Sequence, residues 1–160
     1  MAEISTSEFL DLIDQHQNLV HKVCRIYTNN KEDHSDLFQE ILLQLWKAYP
    51  RFKGNAKLTT WMYRVALYTA MSDFKKRSKK NEAMNSLQGS VERNAAESYF
   101  EMEYLYTVIN RLNASDRALL ALYLDELSYQ QISEILGISE SNVGVRLNRI
   151  KKRLKNMMTA

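Results

Sequence analysis

Residues 128–155 read SYQQISEILGISESNVGVRLNRIKKRLK, and this stretch decides the fold of the second half of the 160-residue chain. Ser128 and Gln131 fit a capping box, in which the Ser hydroxyl accepts a backbone N–H and the Gln side chain reaches back to the cap. Gly137 tolerates the left-handed backbone that ends a helix, and Ser139 starts the next one. The apolar stripe of that next helix consists of Val143, Leu147, Ile150 and Leu154. Two helices joined by a three-residue turn predict a helix-turn-helix.

The second helix of this motif is polar and basic away from its apolar stripe. Side chains near the start of such a helix reach base edges in the major groove, and those further along meet phosphates. Gly144 is either a point of close approach to the DNA backbone or neutral drift. An amphipathic helix pair that packs only within the protein is the alternative, but the crowded basic residues favour nucleic acid. The expected nucleic-acid face contains Glu140, Ser141, Asn142, Arg146, Arg149, Lys151, Lys152 and Lys155.

Towards the N-terminus, apolar residues recur at helical spacing and predict further helices. One covers about residues 7–28, a second begins around residues 33–35 and is stopped by Pro50, and a third follows Thr60 and ends in the lysine run 75–80. Ser115 is the expected cap of a helix that carries the apolar run 119–123. With four glycines, one proline and many strong helix formers, the composition predicts an all-α protein.

The charge distribution divides the chain into three parts. Residues 1–80 and 105–160 are each net basic, whereas residues 81–104 are net acidic and have the weakest apolar periodicity. We therefore predict two small helical domains joined by a flexible acidic linker over residues 81–104. Basic runs close both domains, and two such runs favour a polyanionic partner.

Several other classes of protein lack support in this sequence. The single cysteine, Cys24, cannot form an internal disulfide, and His16, His21 and His34 share no metal-motif spacing. We therefore expect no metal, no cofactor, no small-molecule substrate and no catalytic residue. No apolar stretch approaches the length of a membrane span, and the acidic N-terminus is unlike a secretory signal. We expect a cytoplasmic protein that is not itself in the membrane.

Three segments together resemble the bacterial RNA polymerase sigma factors of the extracytoplasmic-function (ECF) group, in the sigma-70 family. DLFQEILLQLW at 36–46 is similar to region 2.2 of that family, and FKG at 52–54 with LTTWMYRVA at 58–66 resembles regions 2.3 to 2.4. DELSYQQI at 125–132, followed by the turn at 137–139, resembles region 4. The resemblance covers nearly the whole chain in the family's order. It implies a region 2-like bundle over 1–80 and a region 4-like helix-turn-helix over 105–160.

The resemblance also implies partners and the residues that meet them. The implied partners are core RNA polymerase (its β′ clamp helices and β flap), promoter DNA and a cognate anti-sigma factor. Core polymerase would be bound by Asp36, Leu37, Gln39, Glu40 and Leu43. The −10 element would be contacted by Phe52, Lys53, Asn55, Lys57, Arg64, Tyr68, Lys75 and Lys76. The −35 element would be contacted by Ser139 and the eight residues of the nucleic-acid face named above.

The chain departs from the family pattern in places, and two other functions are alternatives to this interpretation. The family commonly has Arg-Asn where this chain has Leu67-Tyr68, which puts the usual polar −10 contact there in doubt. A stand-alone regulator that binds an operator as a homodimer is the alternative, but it leaves residues 33–80 unexplained. An enzyme is the third hypothesis, and no phosphate-binding glycine loop, HExxH or GxSxG motif supports it.

Overall fold

The computed structural model describes residues 6–54, 57–84 and 100–159, and these residues form seven α-helices and a 3-10 turn. The helices are α1 (Thr6–Tyr27), α2 (Lys31–Ala48), α3 (Leu58–Met84), α4 (Phe100–Ile109), α5 (Ala114–Leu124), α6 (Tyr129–Leu136) and α7 (Glu140–Thr159). The 3-10 turn, Tyr49–Arg51, holds Pro50 directly after α2. No strand occurs in this described part of the chain. The all-α prediction is confirmed.

Helices α1, α2 and α3 form the first module, in which each helix packs against the other two. Val20 and Cys24 from α1, Ile41 and Leu45 from α2, and Met62 from α3 are fully buried between them. Asn30, which lies just before α2, caps that helix by accepting a hydrogen bond from the Asp33 N–H at 2.8 Å. The expected start at residues 33–35 is therefore wrong, because Asn30 caps the helix one turn earlier.

Helices α4 to α7 form the second module, and its core is the helix-turn-helix with α5 behind it. Ser128 and Gln131 make both hydrogen bonds of the capping box, and Gly137 ends α6 with φ +70°. The Ser133 hydroxyl donates to the Ile138 carbonyl at 2.6 Å and ties the turn to α6. Helix α5 is capped by Asn113, so the expected Ser115 cap is wrong. The helix-turn-helix is confirmed with the predicted turn.

The two modules pack against each other in this structure. Helix α1 lies against α5, and α3 lies against both α5 and α6. The buried apolar residues of both modules belong to one continuous cluster. Tyr27, which is fully buried, donates its hydroxyl proton to the Ala114 carbonyl at 2.6 Å across this contact. The sequence patterns predict each module but not this inter-module contact.

The ends of the two modules extend into the segment predicted as a linker. Helix α3 runs on to Met84, and α4 begins at Phe100, while residues 85–99 lie outside the described residues. The domain boundaries at residues 80 and 105 remain predictions. No helix in the described ranges is long and apolar enough to span a bilayer.

Candidate nucleic-acid and polymerase interfaces

The exposed side of α2 carries most of the residues expected to bind polymerase. Asp36, Gln39, Glu40 and Leu43 all face solvent, and Leu43 is 44% exposed. Glu40 accepts a hydrogen bond from the Gln44 amide at 2.9 Å, which holds its carboxylate on this side of the helix. Leu37, by contrast, is only 2% exposed and belongs to the core of the first module. The structure thus brings four of the five predicted residues to one accessible surface.

An exposed aromatic side chain extends this surface. Trp46 lies one turn beyond Leu43 and is 40% exposed, with its ring edge against Phe9 at a centroid distance of 5.0 Å. Trp61 is half-buried between the rings of Tyr49 and Phe52. The sequence could not separate the two tryptophans, because both occupy apolar positions of their helices.

The candidate −10 residues fall into two groups around the start of α3. Lys53 and Lys57 are exposed on the loop that precedes α3. The Phe52 ring is half-buried and packs on Trp61 at 5.0 Å between centroids, so Phe52 presents only part of its face. Asn55 lies outside the described residues.

The second group of candidate −10 residues lies along α3 itself. Tyr68 is 73% exposed, which leaves its ring free to meet an unstacked base. Lys75 and Lys76 are exposed further along the same helix. Arg64 instead donates from Nε and Nη2 to the Glu134 carbonyl of α6, with an Nε–O distance of 3.1 Å. The second module therefore engages Arg64 in the packed arrangement.

One member of the basic run at the end of the first domain has a structural role. Arg77 donates to the Asp73 carboxylate at 2.8 Å and to the Tyr27 carbonyl at 2.7 Å. Its guanidinium also lies 3.7 Å from an Asp33 oxygen. Arg77 therefore ties α3 to the end of α1 and the start of α2, whereas its lysine neighbours in the run are exposed.

Helix α7 presents the candidate −35 residues on its outer face. Glu140, Ser141, Asn142, Arg149, Lys152 and Lys155 are exposed. The Ser139 hydroxyl accepts from the Asn142 N–H at 3.1 Å and so caps the helix. The other N–H groups at a helix N-terminus attract anions such as phosphate.

Two of the predicted −35 residues are engaged inside the second module. The Arg146 guanidinium lies 3.6 Å from the Asp116 carboxylate of α5, and its side chain is largely buried. The Lys151 ammonium lies 4.2 Å from the centre of the Tyr123 ring. The neighbouring Tyr123 side chain raises the pKa of Lys151. DNA contacts by both residues remain predictions.

Sequence reasoning missed two residues at the centre of the outer face of α7. Val145 is 65% exposed and Asn148 is exposed one turn further along. A full helical projection of residues 140–155 places both opposite the buried stripe, and this was the signal available in the sequence. An added Cβ at Gly144 would lie 3.4 Å from the Tyr129 ring of α6, which is close to ordinary van der Waals contact, so packing within the protein does not by itself require glycine there.

Charged side chains at α5 also join the two modules. Asp125, at the end of α5, accepts hydrogen bonds from Lys22 of α1 and from the Tyr63 hydroxyl of α3. Arg117 of α5 is only 3% exposed and donates to the Ile26 carbonyl of α1 at 3.1 Å. Burial lowers the pKa of Arg117 to about 10, so its guanidinium remains charged at neutral pH. A groove beside this contact is lined by polar side chains that include Lys22 and Asp125 and by apolar ones that include Leu19, Leu127 and Ile135.

Two family models match this chain, one over the first module and one over the second. The sigma-70 region 2 model matches residues 12–80, and the sigma-70 region 4 model matches residues 102–154. Together they cover well over half of the chain. The chain belongs to the sigma-70 family of RNA polymerase sigma factors, which are DNA-binding transcription initiation factors. The operator-binding homodimer is not favoured, because it gives no account of the region 2 match.

Curated relatives place the chain near the ECF group of that family. It is 28% identical over 140 residues to RNA polymerase sigma factor YlaC of Bacillus subtilis, covering 82% of this chain and 81% of that protein. It is also 28% identical over 150 residues to ECF RNA polymerase sigma factor SigM of the same organism, covering 91% of each. This chain is a sigma factor that directs promoter-specific transcription.

Two solved structures share the fold across both modules. One is CnrH in complex with the cytosolic domain of CnrY, with a TM-score of 0.73 and 17% identity, covering 97% of this chain and 90% of that one. The other is the sigma factor RpoE in complex with the anti-sigma factor NepR from Bartonella quintana. Its TM-score is 0.75 at 16% identity, and the match covers 97% of this chain and 99% of that one.

Proposed function

We propose that this sigma factor binds core RNA polymerase through the exposed side of α2. The observation that carries the proposal is the surface formed by Asp36, Gln39, Glu40 and Leu43, which is accessible although the two modules are packed together. Carboxylate and amide groups around an apolar anchor suit a basic partner helix, such as a clamp helix of the β′ subunit. The second module would meet the β flap, which sets its place along the DNA.

The two modules then contact different promoter elements. The outer face of α7 lies in the major groove of the −35 element, where its first two turns meet base edges and its later lysines meet phosphates. The loop before α3 and the exposed face of α3 hold the −10 element after strand opening. Tyr68 supplies an aromatic face for an unstacked base, and Lys53, Lys57, Lys75 and Lys76 attract the backbone.

The packed arrangement must open for both contacts to be made at once. A compact chain of this length has a radius of gyration of about 15 Å, which corresponds to roughly 40 Å across. Elements named −10 and −35 are separated by about 25 base pairs, or roughly 85 Å at about 3.4 Å per pair. Arg64, a candidate −10 contact, is also hydrogen-bonded to the second module here. We therefore infer that core polymerase separates the modules.

A cognate anti-sigma factor is the partner we propose for the packed arrangement. The support is that CnrH was solved in complex with the cytosolic domain of CnrY, and the sigma factor RpoE in complex with the anti-sigma factor NepR. Each of the two shares the fold over 97% of this chain. Such a partner would stabilise the inter-module contact by binding only the packed form. Catalysis belongs to the polymerase in this scheme, and we propose that the sigma factor acts in the cytoplasm without enzymatic activity of its own.

The test is in vitro transcription from a promoter library with purified core polymerase, with and without this chain. We expect start sites that depend on the chain and share two sequence elements. Glu40→Ala should lower the affinity for core polymerase, whereas Glu32→Ala, an exposed glutamate in the first turn of the same helix, should not. Unchanged core affinity in Glu40→Ala would refute the α2 assignment, and absence of any chain-dependent start site would refute the function.

A further inference from the structure

We propose that Val145 determines base preference in the −35 element by packing against the 5-methyl group of a thymine. This inference rests on the proposed contact between α7 and DNA and adds a base identity to it. Val145 is not among the residues whose chemistry suggested DNA binding, since it has no polar group. Its location in the structure is what assigns it a role.

Val145 occupies the centre of the outer face of α7. It lies two residues after Val143 and two before Leu147, which are both fully buried. At about 100° per residue, it therefore points about 200° away from the first and opposite the core. With 65% of its surface exposed, its methyl groups contact little of the protein.

Polar side chains surround Val145 on this face. Its neighbours one turn away are Ser141 and Asn142 on the N-terminal side and Asn148 and Arg149 on the C-terminal side, and all four are exposed. Isolated exposed apolar residues are common and need no explanation. Val145 differs because four hydrogen-bonding side chains surround it in the first half of the helix that enters the groove. An apolar side chain at this place can contact an apolar group on a base edge.

Thymine is that counterpart. In the major groove, the thymine 5-methyl is the apolar group that base edges offer, and small apolar side chains contact it. The polar neighbours can bond the flanking bases, since Asn pairs with adenine and Arg with guanine. Arg146 does not compete for this position, because it is turned towards Asp116. The α7 face is also open in the packed arrangement, so Val145 is available before the modules separate.

The experiment removes the thymine 5-methyl group and, separately, the two γ-methyl groups of Val145. The −35 element is first defined by in vitro transcription with the full chain and core polymerase. Each thymine in it is then replaced singly by deoxyuracil, which deletes only the 5-methyl, and promoter binding by the holoenzyme is measured. Burying one methyl group contributes enough free energy for about a fourfold change in affinity. We expect about this loss at one thymine with the wild-type chain.

Val145→Ala should bind the thymine promoter about fourfold more weakly and should no longer distinguish thymine from uracil at that position. Val145 is largely exposed and Ala favours helix, so this variant should fold. Met158→Ala, an exposed apolar residue in the last turns of α7, should keep the full methyl sensitivity. The proposal is overturned if no thymine shows methyl dependence or if Val145→Ala retains it. Either outcome would leave the proposed promoter-specific initiation intact. Loss of initiation itself would instead contradict the proposed function.

Discussion

Replacing Arg117 by methionine should destabilise the protein more than any surface substitution. Arg117 lies in α5 and is 3% exposed. Its guanidinium donates to the carbonyls of Leu112 at 2.9 Å, Asn110 at 2.7 Å and Ile26 at 3.1 Å. It also lies 4.4 Å from the centre of the Phe74 ring. Methionine keeps the unbranched stem of the side chain but removes the charge and every donor.

The size of the effect follows from these contacts. Each hydrogen bond from a charged donor to a carbonyl stabilises the folded protein by about 1.5 kcal/mol or more. Burying the guanidinium has its own desolvation cost, which the variant no longer carries, so we use about 1 kcal/mol for each bond. The loss of three bonds then lowers the free energy of unfolding by about 3 kcal/mol. That is a large share of the roughly 5–15 kcal/mol typical of a folded domain.

Urea unfolding followed by circular dichroism measures this loss. With a slope of about 2 kcal/mol per molar urea, the midpoint should fall by about 1.5 M. The matched control is Arg111→Met, which changes an exposed arginine on the adjacent turn and should shift the free energy of unfolding by less than about 0.5 kcal/mol. If Arg117→Met and Arg111→Met unfold at the same midpoint, the buried contacts do not have the assigned energy.

Three further predictions concern other contacts. Asp125→Ala removes the acceptor of Lys22 and Tyr63, so it should increase the distance between fluorophores placed on the two modules. Arg149→Ala should weaken promoter binding by about 1–3 kcal/mol if its guanidinium contacts a guanine edge. Burial and the neighbouring His21 and Arg25 charges lower the pKa of His34 below its ordinary 6.5, so the unfolded chain binds the proton more readily. The free energy of unfolding should therefore fall as the pH drops from 6.5 towards that lowered pKa. It should fall less steeply in His34→Phe. Urea unfolding at a series of pH values measures both slopes.

Each of these experiments has a control and a contradicting result. Asp14→Ala, at an exposed carboxylate of α1, should leave the inter-module distance unchanged, and an equal distance in Asp125→Ala would contradict the first prediction. Lys155→Ala should weaken all promoter sequences alike, whereas Arg149→Ala should relax preference at one position. A stability profile with the same slope in His34→Phe would show that His34 is not the group that titrates.

Local chemistry made the helix-turn-helix predictable. The capping box at Ser128, the left-handed Gly137 and the buried stripe from Val143 are all read from residues within one or two turns of each other. Where two capping residues compete, the local pattern fails. Asn and Ser are about equally good caps, so nothing local distinguishes Asn113 from Ser115, and the path of the chain into α5 decides for Asn113.

Contacts between segments that are distant in the chain have no such local pattern in the sequence, so they were not predicted. Arg117 reaches a carbonyl of Ile26, and every residue offers a carbonyl, so the sequence does not mark the acceptor. Arg146 belongs to the basic stripe of α7 by spacing, but it lies at the edge of that stripe, where Asp116 of α5 can reach it. Which basic residues face DNA and which stabilise the module therefore depends on tertiary packing.

Three of the acceptors in the inter-module contact are main-chain carbonyls. The carbonyls of Ala114, Ile26 and Glu134 receive the side chains of Tyr27, Arg117 and Arg64 respectively. A main-chain carbonyl accepts a hydrogen bond whatever the side chain of its residue. Ala114, Ile26 and Glu134 can therefore be substituted without losing these bonds, as long as the helices keep their positions. A chimera that joins α1–α3 of this chain to the second module of a distant relative should therefore still dock, provided that the relative supplies an arginine at the place of Arg117 and an aspartate at the place of Asp125.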